Sequence, residues 1–177
     1  MQSRRKFLAG AAGALGTASL AARVRADVFF KTMHVMRDPF CGCCDAWIEF
    51  LREEGLQVTS QDSFGTLLSR YKIDNGIPKQ MVSCHTAKFD GYVIEGPVPT
   101  SDIMRLLEER PIAVGLATPG VSCCLSESDP EKPREGFDVH LILRDGSTKV
   151  FARYADAGSA WLRRWRPSPS TSRALCG

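Results

Sequence analysis

Apolar and polar positions change period several times along this 177-residue chain. Val28 to Arg37 (VFFKTMHVMR) is rich in β-branched and aromatic residues and stops at Asp38-Pro39, which predicts a strand. In the following stretch Cys44, Ile48 and Leu51 fall at i, i+4 and i+7, with Asp45, Glu49 and Arg52 opposite; a helix ending at Gly55 is expected. Leu56 to Thr59 reads as a second strand. Asp62 or Ser63 is placed to cap a helix whose inward face is Phe64, Leu67, Leu68 and Tyr71, ending at Asn75-Gly76. Met81–Phe89 and Tyr92–Glu95 predict two strands joined at Asp90-Gly91, a strong hairpin signal. Pro99 opens a third helix with Ile103, Leu106 and Leu107 inward, closing before Pro111.

The predicted order is therefore β-α-β-α-β-β-α, an α/β arrangement of thioredoxin-like type. Beyond it, residues 112–136 are rich in Gly, Pro, Ser and charge and read as a long loop. Residues 137–154 form two alternating segments around Asp145-Gly146, an appended C-terminal hairpin, followed by a short helix to residue 165. Residues 166–177 read as a loose tail. The main domain is expected over residues 27–111.

Ahead of it, residues 1–26 carry Ser3-Arg4-Arg5-Lys6-Phe7-Leu8, the twin-arginine export pattern, then an Ala- and Gly-rich apolar stretch and small residues near Ala26. The apolar run from Phe7 to Ala22 spans 16 residues, short of the roughly 20 a membrane-spanning helix needs. A cleaved signal and a periplasmic destination are expected, with no membrane attachment after cleavage.

This leader also explains the charge. The whole chain is +3, with 23 basic and 20 acidic residues, but residues 1–26 contain five basic side chains and no acids. The remainder has 18 basic against 20 acidic, a net of −2, so the basic footprint of a nucleic-acid binder is absent.

The candidate chemistry is sulfur. Three of seven cysteines stand in Cys41-Gly42-Cys43-Cys44, on the turn from the first strand into the first helix. A disulfide or a CxxC redox pair uses only Cys41 and Cys44; Cys43 needs another explanation. A helix N-terminus lowers thiol pKa, because its unpaired amide hydrogens stabilise the thiolate. Copper(I) is soft and prefers thiolates, and three thiolates within four residues can hold it; zinc, the alternative ion, also binds a thiolate-rich set well and ligand type alone does not exclude it. Cys84 is a fourth candidate ligand, since its strand should end near the motif. Strand alternation turns Cys84 and Thr86 one way and His85 the other, which leaves His85 a structural or supporting role.

Other candidates are weaker. His34 and Met36 share a strand face and could form a surface site, while core filling is expected of at least one of Met33 and Met36, which lie on opposite faces. Trp47 reads as core, with shielding of a metal from water as a second role. Cys123-Cys124 are poorly placed to bridge each other; an auxiliary thiolate for the main site or a link to Cys176 are the alternatives. No GxSxG, HExxH or phosphate loop is present, so no catalytic or cofactor-binding residue is assigned.

The strand followed by CGCC-x₂-W, then SCHTA (83–87) and GYVIEGPVP-x₂-DI-x₂-LL-x-ERP (91–111), closely resembles the CopG-like family of periplasmic metal-binding proteins, a domain of unknown function associated with copper resistance. The match spans about residues 29–120. It implies a thioredoxin-like fold that binds copper through Cys41, Cys43, Cys44 and Cys84, with copper ions and another periplasmic copper-handling protein as partners. Val121-Ser122-Cys123-Cys124 departs from the family pattern, which has a Met-containing segment there. A thiol–disulfide oxidoreductase using Cys41 and Cys44 is the alternative, and enzymatic redox activity stays open.

Overall fold

The computed structural model describes residues 31–121 and 136–155, the Cys43 side chain excepted. It is a mixed α/β fold. Strand β1 (Thr32–Arg37) leads into helix α1 (Gly42–Glu53), then β2 (Gln57–Asp62) and α2 (Gly65–Asp74). A 3₁₀ turn (Lys79–Met81) precedes β3 (His85–Phe89) and β4 (Tyr92–Glu95), and α3 (Thr100–Glu109) follows. Up to residue 109 this is the β-α-β-α-β-β-α order that the hydrophobic pattern predicts.

The chain continues through β5 (Gly115–Ala117), β6 (Phe137–Ile142) and β7 (Thr148–Tyr154). All seven strands form one sheet in the order β2-β1-β3-β4-β5-β6-β7. β1 pairs parallel with β2 and antiparallel with β3, which puts β1 inside the sheet and its C-terminal end beside the start of β3. Arg37 at the end of β1 is registered against His85 at the start of β3.

Packing follows strand alternation. One face presents Met33, Val35, Ala87, Phe89, Ile94, Leu116, Val139 and Leu141 to Trp47, Ile48 and Leu51 of α1 and Ile103, Leu106 and Leu107 of α3. Ile77, Met81, Val93, Ala117 and Ile142 form a smaller cluster. Asp90 (φ 48) and Gly91 (φ 87) both take the left-handed conformation that a tight two-residue hairpin requires. Every described peptide bond is trans, the bond before Pro78 included.

Three expectations are corrected. Residues 115–117 of the supposed loop form β5, because a main chain passing this close to β4 can satisfy its hydrogen bonds there; a Cβ at Gly115 would overlap the Val93 carbonyl oxygen, so only glycine fits. Through β5 the appended C-terminal hairpin joins the same sheet. The third strand starts at His85, not Met81, since Pro78 to Met81 close a 3₁₀ turn (Met81 N to Pro78 O, 2.8 Å).

The second helix starts later and turns a different face inward. Asp62 ends β2 and neither Asp62 nor Ser63 caps; Phe64 occupies the N-cap without a side-chain bond. Phe64 and Leu67 are exposed, while Leu68 and Lys72 are buried. The apolar spacing misled because the inward partner of this helix is polar, the buried Glu95. The short helix expected after residue 155, the tail, and Cys123, Cys124 and Cys176 lie outside the described residues.

Candidate metal centre

The site is assembled by two tight turns at the same end of the sheet. After β1 the chain reverses through Asp38, whose carboxylate accepts from Phe40 N–H (2.9 Å) and whose carbonyl accepts from Cys41 N–H (3.1 Å). Cys44 N–H then donates to Cys41 O at 3.0 Å, the first turn of α1. Arg37 braces this loop by bridging Asp45 (3.2 Å) and Asp62 (3.1 Å). These bonds set Cys41 at the N-cap of α1 and Cys44 inside its first turn.

Cys41 and Cys44 are joined as a disulfide. The Cys84 sulfur comes from the second turn, just before β3, and the sulfurs of Cys41, Cys44 and Cys84 all lie within 4.8 Å of one another. Cys44 is buried and the other two are partly exposed. Two segments forty residues apart in sequence thus deliver soft donors to one point, as the sequence predicts for Cys84. The Cys43 backbone belongs to α1, but its side chain is not described.

Strand alternation does not separate Cys84 from His85. Alternation governs residues inside a strand, and Cys84 sits on the bend before β3 begins. His85 Nδ1 therefore lies 3.4 Å from Cys84 Sγ. The imidazole is fully buried against Trp47, and its Nε2 has no hydrogen-bond partner among the described residues. Trp47 in turn donates its indole N–H to Val98 O at 3.1 Å. It is both core and the back wall of the site, by way of His85.

On the opposite side, Phe40 is exposed beside Cys41 and meets Phe64 edge-on at 6.3 Å, forming an apolar rim. His34 and Met36 do not join the cysteines; His34 Nδ1 bonds Thr59 Oγ1 at 2.8 Å, and both residues line a shallow groove on the β1–β2 surface. Met33 is the one of the two methionines that fills the core.

Beneath the Cys84 bend lies a buried polar network that sequence reasoning missed. Lys72 Nζ donates to Glu95 Oε1 and to Thr86 Oγ1, each at 2.7 Å. Thr86 donates to Glu95 Oε2 at 2.6 Å, and Ser83 N–H donates to Glu95 Oε1 at 2.6 Å. Burial raises the Glu95 carboxyl above its ordinary value, against the pull of the Lys72 charge and of the bonds from Lys72, Thr86 and Ser83.

With thiols reduced, the three sulfurs can converge on one soft ion; oxidised, two of them close a bond. No helix among the described residues is long and apolar enough to cross a membrane.

Residues 81–123 match the family described as "Protein of unknown function, DUF411". Two solved structures, titled "Copper resistance protein copG", Form 1 and Form 2, are each 35% identical with a TM-score of 0.59. They cover 70% of this chain, and the chain covers 96% and 98% of theirs. Among curated proteins none matches. At 35% identity over nearly the full length of those relatives, the chain belongs to the CopG-like DUF411 family.

Proposed function

We propose that this protein holds copper(I) in the periplasm through thiolates of Cys41, Cys43, Cys44 and Cys84, for copper resistance or copper redox handling. The convergence of three sulfurs within 4.8 Å carries the reading. A dithiol exchanger needs two sulfurs; a third within bonding reach of a common ion suits a soft metal. The α1 N-terminus favours the thiolate form of Cys44, and the copper-resistance titles of the relatives point to the ion. A thioredoxin-like ancestry of the fold fits the placement of a cysteine motif at the first strand-to-helix turn.

Binding requires the Cys41–Cys44 disulfide to be reduced, which takes two electrons and two protons. In reverse, the dithiol can reduce two copper(II) ions to two copper(I), forming the disulfide and releasing two protons. The disulfide also favours a second reading, a thiol–disulfide oxidoreductase using Cys41 and Cys44. Zinc is the competing ion.

Titration of the reduced protein with copper(I) against a chromophoric chelator tests this, with zinc in parallel. Cys41→Ser, Cys43→Ser, Cys44→Ser and Cys84→Ser should each weaken copper(I) binding at least tenfold. Affinity should fall as pH falls, because protons compete for the thiolates. Unchanged copper affinity in both Cys43→Ser and Cys84→Ser would leave the dithiol reading standing instead.

A further inference from the structure

The Lys72–Glu95 ion pair is almost completely buried, with side-chain exposures of 5% and 0%. Burying such a pair is seldom better for stability than packing apolar groups of the same volume, so its presence asks for another role. Its geometry supplies one. Glu95 Oε1 takes the backbone N–H of Ser83, the residue immediately before Cys84, and Thr86 two residues after Cys84 donates to Glu95 Oε2. The carboxylate therefore grips the chain on both sides of the cysteine from below the sheet.

A second contact grips Ser83 from the side. Gly96 (φ +75) packs so closely that a Cβ there would come 2.7 Å from Ser83 Oγ, 2.9 Å from Ser83 Cβ and 2.8 Å from Thr118 Oγ1. Gly96 N–H donates to His85 O at 3.0 Å, and Thr118 N–H to Glu95 O at 3.0 Å. The bend carrying Cys84 lies between a 3₁₀ turn and a strand, outside the regular ladder, so these contacts determine where its sulfur sits.

We propose that Thr86, Glu95 and Gly96 form a clamp that fixes Ser83 and thereby holds the Cys84 sulfur opposite Cys41 and Cys44, while Lys72 balances the buried Glu95 charge and does not itself set the sulfur's place. None of the three is among the sulfur ligands proposed for the metal; they are positioning residues. The copper consequence rests on the function proposed above, but the placement of the sulfur does not.

The test compares three variants with the wild-type protein. Lys72→Met/Thr86→Val/Glu95→Met replaces the whole network by apolar groups, leaving no orphaned side chain but no acceptor for Ser83 N–H. Lys72→Met/Glu95→Gln removes the charges and keeps that acceptor. Gly96→Ala presses a methyl group on Ser83 with the network intact. In fully reduced, metal-free protein, alkylation of Cys84, followed by peptide mapping, should be at least threefold faster in the triple variant and in Gly96→Ala. Both should bind copper(I) at least tenfold more weakly, with circular dichroism retained. Lys72→Met/Glu95→Gln should stay within twofold of wild type in both readouts.

Wild-type alkylation of Cys84 in a folded triple variant, or in Gly96→Ala, would overturn the clamp and leave the ion pair an anchor for α2. If the triple variant does not fold, Gly96→Ala decides alone. If the wild-type protein binds no copper(I), the metal reading fails while the alkylation rates still decide the clamp.

Discussion

The imidazole of His85 is stacked on the indole of Trp47, with ring centroids 4.4 Å apart and 29° between the planes. The stack fills the space between α1 and the start of β3, directly behind the Cys84 sulfur. His85→Ala should open a cavity there and cost about 2–4 kcal/mol in urea unfolding. His85→Phe keeps the stack and removes the nitrogen that lacks a partner among the described residues, so it should match or exceed wild-type stability. Equal losses for the two variants would show that the ring nitrogens, not the packing, hold this residue in place. Copper(I) affinity should suffer less in His85→Phe than in Cys41→Ser or Cys44→Ser.

The β3–β4 turn offers a pH test with a worked sign. Burial would raise the Asp90 carboxyl, but hydrogen bonds and charges from Lys31 and Arg110 outweigh it and hold Asp90 below its ordinary value of 3.8. A depressed native pKa means stability that is present above the unfolded value and lost as pH falls through the folded one. Asp90→Asn keeps the left-handed turn, because asparagine tolerates that conformation beside Gly91. It should cost up to about 1 kcal/mol at pH 7 and nothing below the native pKa. Urea midpoints of the two proteins should converge as pH drops below 3.8. A constant gap down to pH 2 would mean the ion pairs are not its source.

The sequence exposed those parts of the fold whose two sides obey one period. Ile103, Leu106 and Leu107 point inward as their spacing predicts, because α3 packs on an apolar sheet face. Asp90-Gly91 determines its turn by local chemistry alone. Lys72 was illegible for the opposite reason: a lysine is read as solvated unless its buried partner is known, and Glu95 lies 23 residues away. Strand β5 escaped notice because three residues carry no period; its identity comes from β4 and β6 on either side. At the site, the cysteines were legible from their density and position. The approach of His85 to Cys84 was not, since it depends on where β3 begins.

The hairpin of β6 and β7 is fastened to α3 by side-chain bonds that include Arg105 Nη2 to Phe151 O (2.6 Å) and Tyr154 to Asp102. Tyr154 donates its hydroxyl to Asp102 Oδ2 at 2.6 Å, and Asp102 is buried, which raises its carboxyl above the ordinary range. Burial, with the Asp102 bond, also raises the Tyr154 phenol well above its usual value. Tyr154→Phe leaves that carboxylate without the hydroxyl and should cost about 1–3 kcal/mol. Asp102→Asn/Tyr154→Phe should recover part of the loss, since no charge then needs a donor. Hydrogen exchange should show the loss concentrated in β6, β7 and α3. A change spread evenly over the sheet would mean the hairpin unfolds with the rest of the fold, not as a separately fastened edge.

Export is the prediction that fixes the compartment in which these sulfurs work. The consecutive arginines Arg4 and Arg5, the weakly apolar run that follows and the small residues before Asp27 together favour a twin-arginine signal over an anchor. A pathway that carries folded protein suits a chain whose cysteines must be arranged by two separate turns before they meet an oxidising environment. Lysine keeps the charge but not the guanidinium that the pattern contains. Arg4→Lys/Arg5→Lys should therefore leave unprocessed, full-length protein in the cytoplasm, whereas the wild-type chain should be recovered from the periplasm with its N-terminus near Asp27. Fractionation with N-terminal sequencing reads both. Processing of the double-lysine variant at the wild-type rate would remove the twin-arginine route and, with it, the argument that the cysteine site is assembled before export.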